Sequence, residues 1–133
     1  MTAKHRACTH RLLKNGVHEF TFHDRTRRTV DEYVEHLALI TNANAPDTQL
    51  YFIINIEEGG IPPIAYLSRR IKDTLSKLSH RLPSRTVLLH NNNPMVMMLA
   101  DTAIRMMASM QIDSVRVFHR DQWDSAVEWL LAE

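Results

Sequence analysis

The stretch LYFIINIEEGGIPPIAYL (Leu50–Leu67) decides the fold. Its first seven residues, Leu50 to Ile56, form an almost unbroken apolar run rich in β-branched and aromatic side chains. A strand covered on both faces reads this way, whereas a half-exposed strand alternates. EEGGIPP then turns the chain. Pro62 and Pro63 suit the start of a helix, where a missing N–H costs little. From there Ile64, Leu67, Ile71, Leu75 and Leu78 recur at steps of three and four residues, the apolar stripe of an amphipathic helix. A doubly covered strand followed by such a helix is half of a parallel crossover.

The flanking sequence repeats that unit. Downstream, Arg85–His90 (RTVLLH) is a second strand, Asn93-Pro94 opens a methionine-rich helix, Ile112–Phe118 is a third, and Asp121 caps a terminal helix. Upstream, a helix starts near Val30, where Thr29 and Glu32 have the spacing of a capping box. NANAPD (Asn42–Asp47) ends it, with Pro46 as the stop. Before it, Asn15-Gly16 between Leu12-Leu13 and Val17–Phe22 predicts a hairpin with a type I′ turn. On its second strand, Glu19 and Thr21 share one face while His18, Phe20 and Phe22 share the other. The expected order is ββαβαβαβα. This is a single α/β domain with a mixed, mostly parallel five-stranded sheet, an N-terminal antiparallel hairpin and four covering helices. Residues 1–9 read as a basic, flexible leader and 10–133 as the domain.

The bulk numbers agree. The 133 residues are 44% hydrophobic and 23% charged, the balance of a globular domain, and no apolar run is long enough to cross a bilayer. The net charge is +1, but residues 1–28 hold seven Lys/Arg against two Asp/Glu. The single cysteine, Cys8, lies outside the expected core and cannot form an internal disulfide, which fits a cytoplasmic setting.

Two segments carry a family resemblance. INIEEGGIPPIAYL (Ile54–Leu67) and VRVFHRDQWDSAVEWLL (Val115–Leu131), with the strand order, resemble bacterial STAS-like domains, relatives of anti-sigma-factor antagonists. The resemblance implies a small α/β sandwich that docks to proteins or holds a small ligand. In the signalling members a Ser or Thr opens the helix after the central strand and is phosphorylated. Here that stretch is GGIPPIAYLS, and Ser68 lies at least a turn inside the helix, so the phosphoswitch is not carried over.

Chemistry-bearing patterns are sparse. Eight histidines are scattered without H-x-H or H-E-x-x-H spacing, so no metal or other cofactor is expected. Glu57 and Glu58 follow the central strand at its carboxyl end, where open α/β sheets hold ligands. Adjacent side chains point apart, however, and a solvated turn is the plainer reading. Gly59 and Gly60 are too few for a phosphate loop and suit a tight turn with positive φ. Asn91 and Asn92 end the next strand and could hydrogen-bond a ligand, with Asn93 as the helix cap. Arg69 and Arg70 lie on the basic outer face of the helix after Pro63, a second expected interaction surface suited to an acidic protein or polyanion. With Tyr66 as the one aromatic beside them, nucleic acid is not the expected partner.

The methionine helix divides by angle. At about 100° per residue, Met95, Leu99, Met106 and Met110 fall together with Ala103 and Met107 as the core face. Met97 lies at its margin. Met98 lies apart, with Asp101, Thr102 and Arg105. Met97, Met98 and Arg105 are therefore the expected self-association surface. The leading expectation is a non-enzymatic, dimeric interaction module. The alternatives are a small-ligand carrier with its site between the 57–63 and 90–93 turns, and an enzyme using Glu57 or Glu58 with a histidine.

Overall fold

A computed structural model describes residues 6–78, 83–91, 94–109 and 114–132 of the chain. The elements are β1 (Cys8–Leu12), β2 (His18–Phe22), α1 (Arg27–Ala43), β3 (Leu50–Ile56), α2 (Ile64–Lys77), β4 (Ser84–His90), α3 (Pro94–Ser109), β5 (Ser114–His119), a 3-10 turn (Arg120–Gln122) and α4 (Trp123–Leu131). The sheet order is β1-β2-β3-β4-β5, with β1 antiparallel to β2 and every other pair parallel. The α/β architecture expected from the sequence is the one observed.

Strand order and chain order coincide from β2 to β5. Three successive crossovers of one hand then place their helices on one side of the sheet. The packing shows this. Phe20, Phe22, Phe52, Ile54, Ile56 and Leu88 point to a core shared with Val30, Tyr33 and Val34 of α1, Leu67 and Ile71 of α2, and Val96 of α3. Among the described residues the one helix on the opposite face is α4, which packs over β4 and β5 through Ala126 and Leu130 against Val87, Leu89 and Ile53. Arg85 holds that helix by donating to the carbonyls of Trp129, Leu130 and Ala132, backbone groups that a helix end leaves unpaired. One nine-residue helix cannot roof five strands, so among the described residues this face is open above β1 and β2.

Several local expectations are corrected. Cys8 is fully buried and begins β1, so the sheet starts inside the expected leader. Burial, with Glu32 nearby, pushes its thiol up to about 12. It stays protonated at neutral pH, and a thiolate is what reacts. Ellman's reagent is therefore expected to leave the native protein unlabelled and to label one thiol after urea unfolding. Rapid labelling without denaturant would contradict this placement.

The hairpin loop is longer than a two-residue I′ turn. Gly16 N donates to Leu13 O at 3.0 Å and Leu13 N to Val17 O at 2.9 Å. Gly16 has φ 86°, while Asn15 is not in the left-handed region. A β-turn closed by one left-handed glycine is the three-residue hairpin loop. Asn15 instead accepts from Val17 N through Oδ1.

The capping box at Thr29 and Glu32 does not form. Helix α1 starts at Arg27, and Thr29, fully buried, donates to Asp24 Oδ1 at 2.7 Å. Glu32 reaches away to accept from Ala7 N at 3.0 Å, which ties β1 to α1. Asp121 does not cap α4 either. The His119 ring accepts from Asp121 N, and Gln122 accepts from His119 N, so the cap sits one short turn earlier.

Candidate functional site

The open half of the sheet is floored by polar side chains. Successive residues of a strand point to opposite faces, so Thr9 and Arg11 on β1, Glu19 and Thr21 on β2, and Asn55 on β3 share the side away from α1. Cross-strand register sets Thr9 opposite Thr21 and Arg11 opposite Glu19, and sets Asn55 beside Thr21. Two open depressions adjoin there. One of about 440 Å³ is lined by Thr9, Arg11, Glu19 and their neighbours, and one of about 330 Å³ by Glu57, Leu89, Arg120 and Trp123. Thr21 and Asn55 line both, so the two form one trough.

Glu19 is 9% exposed, unusual for a carboxylate on an open sheet face. It is fully engaged. Arg11 donates to Oε1 through Nε at 3.0 Å and Nη2 at 2.6 Å, and Asn55 Nδ2 donates to Oε2 at 2.9 Å. A buried charge is tolerated when paired and hydrogen-bonded in this way. The trough therefore has a rigid floor in which the direction of each donor is fixed.

At the carboxyl end of the strands the same face continues into His23 and Glu57. His23 Nδ1 lies 2.8 Å from Glu57 Oε1, and His23 Nε2 lies 2.9 Å from Thr9 Oγ1. Thr9 is held in β1 by its pairing with Thr21, and backbone bonds fix the other two positions. His23 N donates to Ala7 O at 2.8 Å, Glu57 N to Phe22 O at 3.2 Å, and Gly60 N to Glu57 O at 2.8 Å. The result is a hydroxyl–imidazole–carboxylate chain on the wall of the trough.

Glu57 is in the site, while Glu58 is exposed and no paired carboxylate forms. Gly59 is exposed, and Gly60 is buried at the end of β2. Neither has positive φ, contrary to expectation; Gly60 is needed for close approach. Asn91 is exposed and lines neither depression, and Asn92, with the capping role given to Asn93, lies outside the described residues. Arg70 pairs with Asp31 of α1 at 3.2 Å, and Arg69 lies over the Tyr66 ring, 5.6 Å from its centre. Arg70 thereby joins the seam between α1 and α2, whereas Arg69 stays exposed on α2. Tyr66 donates to Asp31 at 2.6 Å, and that bond raises its pKa.

A second cluster lies on the helix-covered face. His10 Nε2 is 3.0 Å from His18 Nδ1, and the His10 ring stacks on His18 and on His36 of α1, each 5.2 Å away. Among the described residues no three His, Cys, Asp or Glu side chains are grouped to hold a metal ion.

The methionine helix is turned relative to the expected face. Val96 is fully buried, whereas Met95, Met97 and Met98 are 55%, 48% and 65% exposed. Met95 thus leaves the core face to which its angle assigned it. The apolar arc expected from spacing is broad, and Val96 rather than Met95 marks its inward side at the start of the helix. Asp101 and Arg105 are exposed with Met98; the side chains of Leu99, Ala103, Met106 and Met107, and Met110 altogether, lie outside what is described. No helix among the described residues is long and apolar enough to cross a membrane.

No protein-family model matches the chain. No curated protein and no solved structure matches it either.

Proposed function

We propose that the chain is a cytoplasmic protein-interaction module of the STAS-like kind, regulatory rather than catalytic in turnover, that self-associates through the exposed arc of α3. The observation that carries this reading is the set of Met95, Met97 and Met98, adjacent on one helix and about half or more exposed. Clustered apolar surface of this kind marks interaction sites, and flexible thioethers adapt to the surface they meet.

A second copy is the occupant that fits. Asp101 and Arg105 lie one turn apart on the same arc as Met98, and a two-fold partner can pair these opposite charges reciprocally. A net charge of +1 does not oppose the approach of like chains. Light scattering of the purified protein is expected to show a dimer. Met98→Lys places a charge in the contact and is expected to raise the dissociation constant about tenfold or more, with the far-ultraviolet dichroism unchanged. A strict monomer, or a Met98→Lys dimer as tight as the parent, would remove this reading.

A further inference from the structure

With the His23 ring neutral, the chain Thr9–His23–Glu57 runs in one direction. An ionised carboxylate only accepts hydrogen bonds, so the imidazole nitrogen beside Glu57, Nδ1, carries the hydrogen. In the neutral ring Nε2 is then the acceptor, and Thr9 must donate its hydroxyl proton to it across 2.9 Å. Among the described residues no donor bonds to the Thr9 hydroxyl oxygen, which lies on the wall of the larger depression. A carboxylate that orients an imidazole that in turn polarises a hydroxyl is the arrangement by which a weak alcohol becomes a nucleophile.

Burial does not demand these bonds. The His23 side chain is 24% exposed and that of Glu57 is 43% exposed. Water can satisfy polar groups that far out, so the ordered chain is more than compensation for lost solvent. It also sits at the carboxyl ends of β2 and β3, where open sheets place ligands.

We propose that Thr9 is an acyl-accepting hydroxyl, taking a short acyl group from an activated ester or thioester that enters the trough. Thr9 Oγ1 bonds to the carbonyl carbon while its proton passes to His23 Nε2. The carbonyl electron pair moves onto oxygen. Arg11, two residues along on the same face and lining the same depression, keeps Nε and Nη2 on Glu19 and offers its remaining Nη1 hydrogens to that oxygen. The intermediate collapses, the carbonyl re-forms, and the bond to the leaving alcohol or thiol breaks. The leaving group takes the proton from His23 Nε2. The products are an ester on Thr9 and a free alcohol or thiol, with the imidazole again neutral against Glu57. The polar floor of Glu19, Thr21 and Asn55 and the volume of about 440 Å³ select short, polar acyl groups. Nothing in this step depends on self-association, and its outcome is separate from that of the Met98→Lys experiment.

The full-length protein, incubated with p-nitrophenyl acetate, is expected to release about one equivalent of nitrophenolate in a burst and to gain the mass of one acetyl group. Fragment ions should place that group on Thr9 rather than on Lys14 or Cys8. Thr9→Ser is expected to keep the burst and Thr9→Val to abolish it. His23→Gln should slow acylation by about 100-fold or more while the melting temperature stays near the parent's. An unmodified Thr9 in the folded parent protein overturns the proposal, whatever the variants do. So does a folded His23→Gln protein that is acylated at the parent's rate.

Discussion

Gly60→Ala is expected to destabilise the protein by about 3 kcal/mol or more, while Gly59→Ala leaves it nearly unchanged. Both glycines lie in the same turn, and the contrast comes from what surrounds them. A Cβ on Gly60 would stand 2.0 Å from Phe22 O and 2.8 Å from Phe22 C, whereas one on Gly59 meets nothing within 4 Å. Neither has a positive φ, so conformational preference does not separate them. The obstacle at Gly60 is backbone of β2, which cannot swing aside like a flexible side chain. The turn must lift, and Glu57 N then loses its bond to Phe22 O. Glu57 is the residue that orients His23, so a Gly60→Ala protein that still folds is also expected to lose much of its Thr9 acylation. Urea titration of the two variants against the parent measures the first effect. Equal midpoints for Gly59→Ala and Gly60→Ala would show that the turn does not press on β2 as described.

The reach of the sequence follows from the same distinction between pattern and packing. Periodicity exposes the strands and helices because Leu50–Ile56 and the stripe from Ile64 to Leu75 repeat a physical constraint several times over. A turn or cap rests on one residue, and there tertiary contacts prevail. Thr29 has capping spacing, yet it is buried where Asp24 offers a better acceptor and Glu32 is drawn to Ala7. Gly60 is recognisable as a turn residue, but the reason for it lies on a strand about 38 positions earlier.

The site was legible only in part, for a similar reason. Glu57 is marked by its place after the central strand. Its partners Thr9 and His23 come from the hairpin, and only sheet register unites them. Two signals did exist. Asn55 is a polar residue inside LYFIINI, costly unless something on that face bonds to it. Glu19 and Thr21 already share a face, and extending the alternation by one step adds His23. The trough itself has no sequence signature, because it is the area that the short helix α4 fails to cover.

The protein is expected to lose stability as pH falls below about 6.5, and the histidine stack on β1, β2 and α1 is the main cause. Burial holds His10 below its ordinary pKa of 6.5, with His18 and His36 adding repulsion, and burial lowers His18 as well. In the unfolded chain the His10 and His18 rings take up protons as pH falls through about 6.5. In the folded chain they resist until lower pH. Between those limits the unfolded state holds more protons, so stability rises with pH across the window and is fully present above it. Below the folded values the loss is complete and the curve levels. His90, lowered by burial and by His119, contributes with the same sign.

The geometry explains the size of the effect. The 3.0 Å contact between His10 Nε2 and His18 Nδ1 needs one nitrogen without a hydrogen, which two charged rings cannot supply. Two charges 5.2 Å apart repel by about 3 kcal/mol at an effective dielectric near 20, before salt screening. Melting temperature measured from pH 8 to pH 5 should therefore fall steeply below about pH 6.5, and less steeply in high salt. The double variant His10→Gln/His18→Gln removes both rings. It is expected to start from a lower melting temperature, since His10 packs 4.9 Å from the Phe20 ring, but to flatten the curve to the residual slope left by His90. Parallel curves for parent and double variant would mean that the stack is not what acid attacks.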